Sequence, residues 1–301
     1  MNMKIANYKN KLINSTYNYL SMKLPKLTNK QQEIIKLLYR FRFLNRIQVQ
    51  ALMGHKDYKT INMWLKDLRQ KQYIEWIYST HYAERTKPAI YYLGINGIRY
   101  LKTLKSDDDS PAYPLEELRK RYRESFRSLT FIDRCQMLAD CCLTLRQDST
   151  EKKYYFYETE ADYLRENSYY HFLGDSEFIH PQLSFSLEKQ TGKEESVTTR
   201  SFLLEIFDAT LPRYRVKKRL SNYVEYLDSG DWECDTVDEL PIILLVCPRT
   251  SDLIYAKRRT RGLIANTWEY DDEGRKNIHI QFSTVEELKK HGVIGEIWEE
   301  A

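Results

Sequence analysis

The sequence NRIQVQALMGHKDYKTINMWLKDLRQKQYIEWIYSTHYAERTKPAIYYL, residues 45–93, changes from helical to strand-forming patterns along its length. Residues 46–53 predict a short helix that ends at Gly54, because glycine readily adopts the left-handed backbone that follows many helices. Residues 58–71 predict a second helix. Asp57 stands at its N-cap position, where a carboxylate can accept a hydrogen bond from a free amide. Two helices joined by a short turn predict a helix-turn-helix.

The predicted helix 58–71 has two unlike faces when its residues are placed on a helical wheel. One face is apolar and carries Ile61, Trp64, Leu65 and Leu68. The opposite face is cationic and amide-bearing and carries Lys59, Asn62, Met63, Lys66 and Gln70. Lysine can bind phosphates or guanine, and Asn or Gln can pair with adenine in the major groove. The predicted DNA-binding residues of this segment are Lys56, Lys59, Thr60, Asn62, Met63, Lys66 and Gln70.

Two strand-forming runs follow this helix, at residues 73–78 and 89–93, and together they predict a β-hairpin. The connection between them, residues 79–88, contributes three further predicted DNA contacts, His81, Arg85 and Lys87. Helix, turn, helix and hairpin in this order predict a winged helix-turn-helix with a basic wing. A basic amphipathic helix is by itself usually a solvated surface, so the hairpin is what favours DNA binding.

The 301 residues allow about two domains of ordinary size. The first helix of the winged domain begins at Thr28, which forms an S/T-x-x-E/Q capping box with Gln31. An acidic segment with two prolines, KSDDDSPAYP, predicts a linker. The predicted organisation is an N-terminal helix or arm over 1–27, a winged domain over 28–104, a linker over 105–114, and a second domain over 115–301.

The net charge of +4 conceals two oppositely charged parts. Residues 1–104 hold 19 Lys and Arg against 5 Asp and Glu, which gives +14, and the remainder carries −10. A small domain with so large a positive charge is expected to bind a polyanion, because each phosphate that it neutralises releases counterions. The sequence therefore favours double-stranded DNA as the partner of the first domain.

The five cysteines, Cys135, Cys141, Cys142, Cys234 and Cys247, are odd in number and form no CxxC or zinc-ligand spacing. This usage is typical of buried free thiols in a reducing, cytoplasmic compartment. No apolar run approaches the roughly 18 residues that a membrane helix needs. We expect no membrane association.

The second domain begins with a long helical pattern over residues 115–146, which fits one helix or two. Beyond it, strand patterns at 154–157, 183–187, 202–207, 241–247 and 277–282 alternate with helical patterns that follow Thr210, Ser251 and Thr284. Residues 189–199 predict a polar loop between the second and third of these strands. This order predicts an α/β layer, and with the winged domain an α+β chain.

A hairpin followed by a helix and a buried strand is also the frame of the PD-(D/E)xK, or restriction-endonuclease, fold. Such nucleases hold Mg²⁺ with carboxylates and use a lysine beside the attacking water. Here Gln182 replaces the first carboxylate, and Glu205 with Asp208 supplies the second. Phe207 stands at the lysine position. The pattern therefore predicts a degenerate site with no catalytic residue, no metal and no cofactor, and a nuclease-like domain that does not cleave DNA.

The chain also resembles the replication-relaxation family of plasmids and other mobile elements. The resemblance covers residues 27–265 and lies in Pro88–Leu93 leading to Gly97, in Pro181-Gln182, and in Phe202–Thr210 followed by a helix that ends near Tyr223. The sequence departs from the family pattern at Gln182, Phe207 and Ala209. Membership would imply a winged helix, a nuclease-like domain, and a role in plasmid replication or DNA processing.

The expected function is that of a double-stranded DNA-binding protein of a plasmid, phage or mobile element, acting in replication or its regulation. One alternative is a metal-dependent DNA nuclease. Another is a transcriptional regulator or scaffold that recruits a replication or regulatory protein through its acidic second domain. We also expect a homodimer, because winged proteins often bind two-fold sites as pairs. Basic clusters at 213–219 and 257–261 are either solvated helix faces or a local phosphate-binding edge.

Overall fold

The protein is a mixed α+β chain. The computed structural model describes residues 23–78, 86–106, 110–166, 179, 181–191, 196–229, 240–267 and 278–301. The N-terminal unit, residues 29–103, consists of α1 (Asn29–Phe41), β1 (Leu44–Asn45), α2 (Arg46–Leu52), α3 (Tyr58–Gln70), β2 (Ile74–Ile77), β3 (Ile90–Leu93) and α4 (Ile95–Thr103). Most of the predicted N-terminal arm lies outside the described residues.

Side-chain caps begin the first three helices of the N-terminal unit. Thr28 and Gln31 form the expected capping box at α1, and Asp57 accepts hydrogen bonds from two backbone amides at α3. A second capping box, between Asn45 and Gln48, begins α2 and has the same physical basis. Gly54 follows α2 with φ of +61°, so the predicted end of that helix is confirmed.

The three short strands form an antiparallel sheet in the order β1-β3-β2. Gly97 of α4 lets this sheet approach the helix closely, because a Cβ at this position would collide with the carbonyl oxygen of Tyr73. The pairing of Ile74 with Leu93 and of Ile77 with Ile90 confirms the predicted hairpin. β1, a two-residue strand beside it, has too little sequence pattern to be predicted.

The C-terminal unit, residues 115–301, is built around a six-stranded mixed sheet in the order β4-β5-β6-β7-β8-β9. Its elements are α5 (Leu115–Arg121), a 3-10 turn (Glu124–Phe126), α6 (Leu129–Asp148), β4 (Lys153–Thr159), α7 (Glu160–Glu166), β5 (Leu183–Thr191), β6 (Ser196–Ile206), α8 (Arg213–Ser229), β7 (Ile242–Cys247), α9 (Thr250–Thr267), β8 (Ile280–Thr284), α10 (Val285–His291) and β9 (Glu299–Glu300). β4 pairs antiparallel with β5, and β5 pairs antiparallel with β6. β6, β7 and β8 are mutually parallel, and β9 pairs antiparallel with β8.

The two faces of this sheet are covered by different elements. Leu204 and Leu244 belong to a buried cluster that continues into α6 and the N-terminal unit. Leu203 and Leu245 point the other way, into a cluster with α8 and α9. β7 is buried on both faces, as its continuous apolar run predicts.

The N-terminal unit shares its hydrophobic cluster with the C-terminal unit. The side-chain amide of Gln48 donates to the Gln136 carbonyl at 3.0 Å and to the Asp140 carboxylate at 2.7 Å. In the segment between the units, Tyr113 is buried and contacts Tyr39 of α1, with ring centroids 4.6 Å apart. α2 is therefore fixed directly to α6.

Several predicted boundaries and surfaces in the C-terminal unit differ from the structure. The helical pattern of 115–146 forms two helices, α5 and α6, which is one of its two predicted alternatives, and Phe126 and Leu129 at the break between them are exposed. The predicted polar loop 189–199 is shorter, because β5 continues to Thr191 and β6 begins at Ser196. Thr210 does not cap α8; its hydroxyl donates to Asp208, and the helix begins at Arg213.

Four of the five cysteines lie in the described residues, and all four are free and buried. Burial raises the pKa of the Cys135 thiol to about 11 and that of Cys141 to about 12. Cys234 lies outside the described residues. Among the described helices, none combines the length and the apolar character that a membrane crossing requires.

Candidate nucleic-acid interface

α3 presents a polar face to solvent and buries its apolar face. Ile61, Leu65 and Leu68 are at most 1% exposed, and Trp64 is half-buried. The seven predicted DNA-binding residues on α3 and its entry are accessible: Thr60 is half-buried, and the others are exposed, namely Lys56, Lys59, Asn62, Met63, Lys66 and Gln70. This face therefore projects away from the protein core.

The first turn of α3 is held by the Asp57 carboxylate. It accepts from the amide of Lys59 at 2.9 Å and from the amide and hydroxyl of Thr60 at 3.1 and 2.6 Å. The hydroxyl bond from Thr60 and then the amide of Lys59 hold the pKa of Asp57 below its ordinary value. Thr60 thus orients the cap in addition to facing the surface.

A cation–aromatic stack joins α3 to the hairpin. The Arg69 guanidinium lies 3.7 Å from the centroid of the Trp76 ring, and Trp76 stacks on Tyr78 with centroids 5.4 Å apart. Both aromatic side chains are about 40% exposed. Arg69 and Trp76 are candidate contact residues that the sequence-based prediction does not include. The alternation of side chains along the strand places Trp76 on its outward face, and this pattern could have identified it as a contact residue.

A second missed pair lies at the other end of α3. The Arg46 guanidinium lies 5.6 Å from the centroid of the Tyr58 ring, which is 51% exposed. Lys87 of the predicted wing is exposed where the chain enters β3. His81 and Arg85 lie outside the described residues.

The residues that the sequence pattern compares with a nuclease site make structural contacts. The Gln182 side chain accepts from the Ile206 amide at 3.1 Å and donates to the Ile206 carbonyl at 3.2 Å. Gln182 therefore behaves as an additional backbone-like link between β5 and the end of β6.

Glu205 is buried and faces α8, where Arg219 forms an ion pair with its carboxylate. Burial raises the pKa of Glu205, and the Arg219 charge and the neighbouring Tyr223 hydroxyl only partly counter that effect. The carboxylate is therefore a paired internal group. It has no open side from which a hydrated metal ion could be bound.

The two residues after Ile206 complete this region. Phe207 packs in the cluster formed with α8 and α9. Asp208 accepts from the Thr210 amide at 2.8 Å and from its hydroxyl at 2.7 Å. Burial acts to raise the pKa of Asp208, but the hydrogen bonds from Thr210 outweigh it and the net pKa is lowered.

This donor set does not fit a Mg²⁺ ion, which requires several accessible oxygen ligands. Glu205 is paired, Asp208 closes a turn, and Gln182 is bonded to the backbone. Within the described ranges, no group of three or more His, Cys, Asp or Glu side chains is arranged to hold a metal ion.

The two basic clusters meet where α8 packs against α9. The Arg213 guanidinium lies 5.0 Å and that of Arg259 5.6 Å from the centroid of the Tyr255 ring. Lys257 pairs with Glu299 at 3.1 Å. This surface lies across the six-stranded sheet from the N-terminal unit and from α6, so it is separate from the exposed face of α3.

Comparison with curated proteins finds no match to the chain. A model of one protein family, described as replication-relaxation, matches residues 35–239, which include the whole of α3, the hairpin, the hydrogen-bonded Gln182 and the buried Glu205. Because this match spans about two thirds of the sequence, the chain belongs to the replication-relaxation family.

Proposed function

We propose that the chain is a double-stranded DNA-binding protein of a plasmid, phage or mobile element that acts in replication or its regulation. The observation that carries the proposal is the exposed polar face of α3, with Lys59, Asn62, Lys66 and Gln70 on one side of a helix whose other side is buried. Family membership suggests the replication role.

In this proposal the N-terminal unit is a winged helix-turn-helix, and α3 is its recognition helix. The side chains of α3 are of the kinds that read base edges and phosphates in the major groove. Asn62 and Gln70 have the bidentate amides that suit adenine, and Lys59 and Lys66 supply cations. A helix of 13 residues is about 20 Å long.

The hairpin supports the same geometry. The Arg69–Trp76 contact holds the hairpin beside α3, so the wing and the helix would meet the duplex together. Lys87, at the base of the wing, would contact the phosphate backbone, and backbone contacts fix the register of a protein on DNA.

We infer that the C-terminal unit is a PD-(D/E)xK-like domain that no longer cleaves DNA. The support is the engagement of Gln182, Glu205 and Asp208 in internal contacts. Its roles in this proposal are to support the N-terminal unit and to bind a second copy or a replication protein.

Fluorescence anisotropy with a library of plasmid-derived duplexes tests the central proposal. Lys59→Glu is expected to abolish binding, since it places a negative charge on the face that meets phosphates. Lys218→Glu makes the same charge change on α8, which covers the opposite face of the six-stranded sheet.

If Lys218→Glu weakens binding as strongly as Lys59→Glu, the effect is one of net charge and α3 is not the contact surface. Footprinting of the bound duplex distinguishes a role in replication from one in transcriptional regulation. A protected site inside an origin supports replication, and a protected site in a promoter supports transcriptional regulation.

A further inference from the structure

A cavity of about 120 Å³ lies at the junction of the N-terminal and C-terminal units. The end of α1, α5, α6 and the start of α7 enclose it, and Gln182 contributes to its wall. Its lining is rich in cations: Arg40, Arg42, Lys120, Arg121 and Arg134. The carboxylates in the same lining are Glu117 and Glu160.

Arg121 is the most buried of these cations, with a side chain that is 3% exposed. Its guanidinium is 3.4 Å from Glu124 and 3.9 Å from Glu117, so neither contact is a close ion pair. The Nε of Arg121 has no hydrogen-bond partner among the described residues. A buried guanidinium normally satisfies its donors, so this group has hydrogen-bonding capacity to spare.

Positive charge exceeds negative charge around Glu124. Its carboxylate is 2.8 Å from Arg42 and is also the nearest acid to Arg121 and Arg127. Three guanidinium groups therefore share one carboxylate. Burial, followed by the charge of Arg42, lowers the pKa of Arg121, as expected for a cation with too little negative charge nearby.

The other cations do not remove this excess. Arg40 pairs with Asp162 at 2.5 Å, and Lys120 pairs with Glu117. Arg134 stacks over Phe131, with its guanidinium 5.0 Å from the ring centroid, and makes no ion pair with any described residue. The charge of Arg134 also acts on the carboxylates of Glu205 and Asp208. The excess positive charge beside the cavity therefore rests chiefly on Arg121, whose two carboxylate contacts are long.

We propose that this junction cavity binds a phosphate group, carried either by inorganic phosphate or by the end of a nucleic-acid strand. Planar guanidinium groups bind phosphate oxygens through paired, charge-assisted hydrogen bonds. The cavity volume suits a small tetrahedral anion. The proposal concerns a site separate from the exposed face of α3 and does not depend on duplex binding there.

Isothermal titration of the full chain with inorganic phosphate, at ionic strength matched with chloride, tests the proposal. We expect saturable binding of one phosphate per chain. Arg134→Met should weaken it by about tenfold or more, because it removes a charge-assisted contact. Arg123→Met is the matched control, since Arg123 is exposed on the neighbouring segment and does not line the cavity.

Arg121 is left unchanged in this test, because removing a buried charge partner can unfold a protein. Arg134→Gln provides a second variant if the methionine variant misfolds, which circular dichroism would reveal. Absence of saturable phosphate binding in the wild type would overturn the proposal. Equal binding by wild-type protein and a folded Arg134 variant would overturn it as well.

A second titration distinguishes the two sources of phosphate. A dinucleotide with a 5′-phosphate is compared with the same dinucleotide ending in a 5′-hydroxyl. Binding of the 5′-phosphorylated dinucleotide that is tighter than binding of both inorganic phosphate and the 5′-hydroxyl dinucleotide assigns the cavity to strand ends. Weaker or equal binding assigns it to the free ion.

Discussion

The salt dependence of duplex binding is the sharpest test of the α3 surface. Four lysines, Lys56, Lys59, Lys66 and Lys87, are exposed on α3, its entry and the hairpin. Each phosphate neutralised contributes about 0.9 to the slope of log affinity against log salt, so four contacts give about −3.6. Affinity should then fall by about 150-fold between roughly 50 and 200 mM salt.

Lys66→Gln removes one of these cations without reversing its charge. The slope should become about −2.7, because one phosphate contact is lost. Fluorescence anisotropy at a series of salt concentrations measures both slopes on the same duplex. Lys218→Gln on α8 is the control and should retain the wild-type slope.

An unchanged slope in Lys66→Gln would refute the assignment of α3 as the phosphate-contacting surface. So would a wild-type slope shallower than about −2, which corresponds to fewer contacts than the exposed lysines provide. A change of slope in Lys218→Gln would instead locate the DNA on the other side of the sheet.

Three further outcomes are expected. Gly97→Ala should lower the free energy of unfolding by about 1–3 kcal/mol through overpacking against the Tyr73 carbonyl. Gly262 of α9 has open space around it, so Gly262→Ala should raise the free energy of unfolding by about 0.5–1 kcal/mol. Urea denaturation measures both changes. Hydrogen bonding from Lys71 lowers the pKa of Asp67, so the ionised carboxylate stabilises the fold above the unfolded pKa of about 3.9 and this contribution disappears as pH falls through the folded pKa. Asp67→Asn should therefore be destabilising at pH 7 but not in acid. Supercoiled plasmid incubated with Mg²⁺ should remain intact with wild-type protein, and cleavage that disappears in Glu205→Gln would contradict the inactive assignment.

The sequence predicts the N-terminal unit well because its signals are local. Asp57, Thr28 and Gly54 mark helix ends through contacts within a few residues, and the apolar stripe of α3 identifies its buried face. The alternation at Leu183–Leu187 and the unbroken run of β7 also depend on neighbouring positions only. Such patterns survive folding unchanged.

Other features depend on distant partners and are invisible in a single sequence. The pairing of Glu205 with Arg219 joins β6 to α8, and only the fold reveals that the carboxylate is enclosed. The exposure of Phe126 follows from a break between α5 and α6 that the helical periodicity does not mark. The grouping of Arg42 with Arg121 unites residues almost 80 positions apart.

The attachment of α2 to α6 has a consequence for how the molecule would sit on a duplex. Gln48 bonds to Gln136 and Asp140, and the Arg146 guanidinium donates to the Leu52 carbonyl at 2.9 Å. Hydrogen bonds therefore attach the helix that precedes α3 directly to the long helix α6. If the chain binds DNA through α3, the α8–α9 surface would be held in one orientation relative to the helical axis of the DNA. The sequence and direction of the binding site would then determine where that surface faces.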